Sequence, residues 1–389
     1  MTTTTTIPNV STGQGANPLQ ALLAYGQSPW MDYIRRDLLT SGGLKKYIDD
    51  DGLRGMTSNP TIFEKAITGS NLYSDILSSP DAKKLDAKGL FEKIAIRDVQ
   101  DACGIFKSVY AESKRRDGYV SLEVSPYLAN DTKGTIDEAR RLWKSVDRPN
   151  VMIKVPGTPE GFPAIRQLLE DGLNINITLL FAQSAYEKVA EAFLAALEAR
   201  AAKGQDISHI ASVASFFVSR IDTLVDSKLD EKLKNTSDQG QKTSLESLHG
   251  KIAIANAKLT YKKYQELFSG ARWNALAAKG AQTQRLLWAS TSTKNPKYRD
   301  VLYVEELIGA DTVDTIPPAT FDAFREHGKL RNSLTEDVDG ARKIMDNLAK
   351  AGISMKEVTD KLLVDAVKLF ADAFKQLLDA TGKSAGVHA

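Results

Sequence analysis

The sequence predicts an α/β barrel of eight strand–helix units, and three observations carry that prediction. Short apolar or alternating runs, bounded by turn residues and too short for helices, recur eight times along the chain. Each is followed by an amphipathic, helix-like stretch. Strands alternating with helices imply a parallel sheet with right-handed crossovers, and eight such units is the number that closes into a (β/α)8 barrel. The main competitor, a doubly wound sheet, lacks its glycine-rich phosphate loop after the first run.

Residues 1–17 open with Met1 and a run of threonines, and have neither the apolar core of a secretory signal nor the arginines of a transit peptide. They are expected to form a disordered leader before a single barrel domain over residues 18–385. The eight strand-like runs are Ser28–Ile34, Leu53–Ser58, Tyr119–Val124, Val151–Val155, Leu173–Phe181, Ile210–Phe217, Leu286–Ser290 and Thr312–Ile316. Between the sixth and seventh, Asp222–Gln284 is charged and helix-forming, which predicts an inserted helical segment. Beyond the eighth, C-terminal helices are expected over residues 335–382. There Val358, Leu362, Ala366, Leu369, Ala373 and Leu377 recur at helical spacing and read as a core stripe.

With 389 residues, 42% hydrophobic and 26% charged, the chain has the composition of an ordinary globular protein. Its 51 basic and 49 acidic side chains nearly cancel, so no long-range field recruits nucleic acid or an anionic membrane. No apolar run approaches the roughly 18 residues of a membrane helix. Cys103, in a helical-looking stretch from Ile94 to Ala111, is the single cysteine, which favours a reducing, cytoplasmic setting. No His, Asp or Glu cluster has metal-ligand spacing, and Asp49-Asp-Asp-Gly52 reads as a solvated turn.

Lys154 carries the sharpest signal. It stands near the end of Asn150-Val-Met-Ile-Lys-Val-Pro-Gly-Thr158, a run apolar enough to be covered on both faces. Desolvation penalises an ammonium, so a lysine there is expected to lower its pKa and become the neutral amine that attacks carbonyls. A structural ion pair with Glu123 is the alternative. Other polar residues fall at strand ends, the rim where barrels do their chemistry. Alternation turns Ser121 and Glu123 inward, and likewise Asn174, Asn176 and Thr178. Asp32, Asn59 and Ser215 stand near the ends of their runs. Each has a structural reading alone: Asp32 and Asn59 as helix N-caps, Ser215 as a satisfied core hydroxyl. Their convergence on one rim, beside an amine nucleophile, is what those readings leave unexplained. Arg220, just past the sixth strand, and Ser290-Thr-Ser-Thr-Lys294, just past the seventh, suit a phosphate monoester, although Arg220 alone is equally a surface salt-bridge residue.

These residues coincide with a known pattern: the chain resembles transaldolases, particularly the longer bacterial and plant-like group. The resemblance runs through Gly55-Met-Thr-Ser-Asn-Pro-Thr-Ile-Phe63, Val120-Ser-Leu-Glu-Val-Ser-Pro126, Ile153-Lys-Val-Pro-Gly-Thr158, Asn174-Ile-Asn-Ile-Thr-Leu-Leu-Phe181 and Ser212-Val-Ala-Ser-Phe-Phe-Val-Ser-Arg-Ile-Asp222. It implies a barrel of the class I aldolase type. It also implies transfer, without metal or cofactor, of a dihydroxyacetone unit from sedoheptulose 7-phosphate or fructose 6-phosphate to glyceraldehyde 3-phosphate or erythrose 4-phosphate, in the pentose phosphate pathway. Lys154 would form the Schiff base, Asp32 would be the acid/base for carbon–carbon cleavage, and Glu123 with Thr178 would hold the water serving Schiff-base formation. Asn59, Asn176 and Ser215 would bind the dihydroxyacetone hydroxyls, Arg220 the phosphate, and Phe217, with Phe181 and Phe370, would restrict water. Shorter members place a second arginine after strand seven; here Ser290, Ser292 and Lys294 stand in that region, and the second phosphate ligand stays open. The implied partners are phosphorylated sugars, acted on by a monomer or homodimer.

Overall fold

The computed structural model describes residues 17–80 and 82–386. The expected leader, apart from Asn17, lies outside the described residues. Eight parallel strands close into a barrel in chain order, with β1 hydrogen-bonded to β8. They are β1 Gln27–Asp32, β2 Gly55–Thr57, β3 Tyr119–Glu123, β4 Val151–Pro156, β5 Ile175–Leu180, β6 Ser212–Phe217, β7 Arg285–Ala289 and β8 Thr312–Ile316. The fold is the (β/α)8 barrel the periodicity predicts. Strand ends shift by a residue or two because the caps of the next elements set them. β2 stops at Thr57, for example, because Asn59 is already the N-cap of the helix Pro60–Thr68.

The strands are buried on both faces, which is why they read as nearly unbroken apolar runs. The lower interior is filled by side chains. Trp30 fills it opposite Gly55, where a Cβ would come within 2.5 Å of the indole. Below it Arg285 donates to Ser28 Oγ (2.7 Å) and Asp117 Oδ1 (2.8 Å). Open space is therefore left to the upper, C-terminal end of the strands.

Between β6 and β7 lie the helices Ser219–Lys234, Gln239–Glu246, Ile252–Leu267 and Ala271–Ala277. The first starts two residues after β6 ends, so this helical segment begins ahead of Asp222. After β8 come Pro318–His327, Val338–Lys350 and Met355–Ala385. The last packs along Pro60–Thr68 and Ala87–Ile105.

Two local readings are corrected. Val358, Leu362, Ala366 and Leu377 of the expected stripe are buried, but Leu369 is 49% exposed, and Phe370 and Phe374 face the protein in its place. A 3.6-residue helix can be phased either way by a mixed sequence, and the barrel chooses. Asp49–Asp51 is the end of a helix closed by Gly52 in the left-handed conformation, not a solvated turn. Asp51 is buried and paired with Arg325 at 2.7 Å.

Candidate active site

Lys154 rises from β4 into a cavity of about 620 Å³ at the mouth of the barrel. In a parallel sheet, register partners on adjacent strands point to the same side, and Glu123 is the partner of Lys154. Their side chains meet with Nζ 3.4 Å from Oε2, both almost wholly buried. Nζ also donates to the Ser58 carbonyl at 3.2 Å and lies 5.9 Å from the centre of the Phe370 ring. The ion pair named above as the structural alternative is thus present. Neither Glu123 oxygen has a hydrogen-bond partner among the described residues, and burial holds this carboxyl above the usual carboxylate range despite the opposing pull of Lys154.

Asp32, last residue of β1, faces the same amine from across the cavity. Its Oδ1 accepts from Thr57 Oγ1 (2.7 Å), and its Oδ2 lies 3.5 Å from Asn59 Nδ2. Burial raises its pKa, while Lys154 and the Thr57 hydrogen bond pull it down. Asp32 caps no helix; Asn59 does, its Oδ1 accepting from Ile62 N at 3.1 Å. One Asn59 side chain therefore serves both readings, with its oxygen on the helix and its amide turned to Asp32.

On the opposite wall, Ser215 Oγ donates to Asn176 Oδ1 (2.7 Å) and Asn176 Nδ2 donates to Ser121 Oγ (3.0 Å). Asn176 is wholly buried and does not line the cavity; it acts on the cavity through Ser215. Thr178 lines the cavity, and its hydroxyl has no partner among the described residues. It sits at a bulge where the β5–β6 register slips, with Leu179 at φ +62°, so the plain alternation read for Leu179 ends here. Phe217 lines the cavity with its ring 5.2 Å from that of Phe181.

At the rim, Arg220 and Lys294 face each other. Arg220 has neither an ion pair nor a side-chain hydrogen bond among the described residues, and Lys294 donates only to Ser292 Oγ, at 2.6 Å. Loss of water pushes both pKa values down, and for Lys294 the Arg220 charge pushes further. Two cations placed side by side with no carboxylate between them form a site for an anion. Ser290 and Ser292 line the same wall.

Of the residues given a role in the sequence analysis, all line this cavity except Asn176, Phe181 and Glu123, the last of which stands behind Lys154. The sequence reading missed Thr57 and Thr315, whose hydroxyls meet at 2.7 Å beside Asp32, and Lys65, which reaches the cavity from its helix. The inward alternation of Gly55 with Thr57 and of Val313 with Thr315 was the signal for the first two. Lys65 has none, since on a helix it resembles any surface lysine. Among the described residues, no His, Cys, Asp and Glu group is arranged to hold a metal ion, and no helix is long and apolar enough to cross a membrane.

A family model described as Transaldolase/Fructose-6-phosphate aldolase matches residues 29–381. The chain is 48% identical over 367 residues to a protein named Transaldolase from Trichodesmium erythraeum, covering 94% of this chain and 96% of the relative. It is 45% identical over 367 residues to Transaldolase 2 of Nostoc sp., with the same coverage. It is also 45% identical, over 357 residues, to the Transaldolase of Thiobacillus denitrificans, covering 92% of this chain and 97% of that one.

Proposed function

The chain belongs to the transaldolase family and is an enzyme of that kind, and from this premise we propose that it moves a dihydroxyacetone unit between sugar phosphates through a Schiff base on Lys154. The donors would be sedoheptulose 7-phosphate or fructose 6-phosphate and the acceptors glyceraldehyde 3-phosphate or erythrose 4-phosphate. The observation that carries this reading is the buried Lys154 amine, 3.4 Å from Glu123, at the base of a cavity whose rim holds two cations without a carboxylate partner.

Glu123 takes a proton from Lys154, and the free amine adds to the ketose C2 carbonyl. Water leaves to form the imine, with Glu123 and Thr178 holding that water. Asp32 accepts the proton of the C4 hydroxyl as the C3–C4 bond breaks; the aldose phosphate departs as an aldehyde, and the electron pair stays on C3, delocalised into the imine. Asn59 and Ser215 hold the hydroxyls of this three-carbon unit, and Asn176, behind the cavity wall, orients Ser215 by accepting its hydroxyl hydrogen bond at 2.7 Å. Phe217, Phe181 and Phe370 keep bulk water away until C3 attacks the acceptor aldehyde, whose new alkoxide takes the proton from Asp32. Hydrolysis of the imine frees the product. The reading places the enzyme in the cytoplasm, in the pentose phosphate pathway, acting as a monomer or homodimer.

Incubation with fructose 6-phosphate followed by borohydride reduction should leave one modified lysine, and peptide mass spectrometry should map it to Lys154. A modification elsewhere, or none, would refute the Schiff-base assignment. Adding erythrose 4-phosphate without reductant should give sedoheptulose 7-phosphate much faster than free dihydroxyacetone appears. Release as fast as transfer would point to an aldolase instead.

A separate expectation concerns the rim. Arg220→Ala should lower kcat/KM for a phosphorylated donor by about 3 kcal/mol, roughly a hundredfold, through loss of charge-assisted hydrogen bonds. With an unphosphorylated donor such as fructose the loss should stay within roughly threefold. Steady-state kinetics with the two donors decide this, and equal losses would make Arg220 a structural residue.

A further inference from the structure

We propose that Asp314 is a positioning residue that sets the phosphate-facing side of the loop after β7 through the hydrogen bond it accepts from Thr291. The inference rests on the reading of Arg220 and Lys294 as a phosphate site. Thr315 faces the cavity, so its neighbour Asp314 faces the other way, into the layer between barrel and helices, where its register partners are Trp288 and Pro29. It is wholly buried there. Oδ1 accepts from Thr291 Oγ1 at 2.9 Å, and Oδ2 has no partner among the described residues. Burial pushes its pKa up to about 8, so the carboxyl is largely neutral near pH 7, which makes such a site tolerable.

Thr291 explains what the carboxyl is for. Ser290 and Ser292 both line the cavity, whereas Thr291 between them is wholly buried and turned to Asp314. Anchoring the middle residue outward presents its two neighbours inward. The loop needs such a hold because Ser290 sits at φ +58°, a conformation that residues other than glycine rarely adopt. Two further holds come from the first residue of the helix after β6: Ser219 N donates to the Ser290 carbonyl at 3.1 Å, and the two serine hydroxyls lie 2.9 Å apart. The loop is thus pinned by β8 on one side and by the start of the helix after β6 on the other. The orientation of Ser292 passes to Lys294 through their 2.6 Å hydrogen bond, and so to the cation that faces Arg220.

The test uses the full chain with Asp314→Ala, Asp314→Asn and Thr291→Val. Asp314→Ala should raise KM for fructose 6-phosphate, and the inhibition constant of inorganic phosphate, by roughly tenfold, well inside the hundredfold that a misplacement of about 1 Å can cost. Its kcat should stay within roughly twofold, and kcat/KM for unphosphorylated fructose should hardly change. Asp314→Asn keeps the acceptor oxygen and should recover most of the loss; Thr291→Val, which keeps the volume, should reproduce it if the alanine variant folds poorly. Equal losses on both donors, no loss on either, or an asparagine variant no better than alanine would overturn the proposal. Arg220→Ala separates the two ideas. Donor-selective loss there but not in Asp314→Ala and Thr291→Val refutes the tether and leaves the phosphate site standing, whereas no selective loss even in Arg220→Ala refutes the phosphate reading itself.

Discussion

Lys154→Arg is expected to lower kcat on the order of 10⁴-fold or more, in line with removal of a catalytic nucleophile, while the barrel stays folded. Guanidinium remains protonated in proteins and cannot add to a carbonyl, yet it preserves the positive charge opposite Glu123 and Asp32. The loss therefore cannot be blamed on exposing two buried carboxylates to each other. The cavity above Nζ gives the longer side chain room, so thermal unfolding followed by circular dichroism should show a midpoint close to the parent's. Two readouts bear on the claim: turnover of fructose 6-phosphate with erythrose 4-phosphate, and the borohydride-stable adduct, which should vanish. If the variant kept more than roughly a hundredth of parental kcat, or still gave the adduct, the assignment of Lys154 would be wrong.

Asp32→Asn comes next in size. General acid–base groups typically contribute about 10²–10⁴-fold, and asparagine keeps the shape of the side chain while losing the proton relay. A pH signature accompanies the loss. Cleavage needs Asp32 ionised, so kcat falls as pH drops through its folded pKa. Burial raises that pKa, and the acid limb should sit above the roughly 3.9 of a free aspartate. Glu123 is raised as well, so the limb belongs to the pair rather than to one residue. Thr57→Val tests the assignment further. The Thr57 hydroxyl donates to Asp32 and favours the ionised form, so its removal should move the acid limb upward. An unchanged limb in Thr57→Val, together with a small loss in Asp32→Asn, would transfer the acid/base role to another group.

Much of this candidate site is legible in the sequence because strands impose a period of two. Alternation along Tyr119–Val124 and through Thr178 turned Glu123, Asn176 and Thr178 inward, and a lysine in an apolar run could only be buried. The turn from Thr178 to Leu179 broke the rule, because a bulge inserts a residue that no periodicity announces. The helix stripe was legible at Val358, Leu362, Ala366 and Leu377 and not at Leu369: Leu369 and Phe370 fit a helical face equally well, and the cavity selected Phe370. Asn59 was legible as a cap but not as a neighbour of Asp32.

The sequence by itself determined the eight units, the closed barrel and the residue types at its rim, since these follow from local period, turn chemistry and the alternation of strand with helix. Only the tertiary structure decided who meets whom. Thr57 and Thr315 lie 258 residues apart and share a hydrogen bond because β8 closes on β1. Arg220 and Lys294 face each other because the segments after the neighbouring strands β6 and β7 converge, and Asp314 meets Thr291 because β8 lies beside β7. A local pattern sets which face a side chain takes. The partner on that face depends on strand order and register, which are settled only when the chain closes.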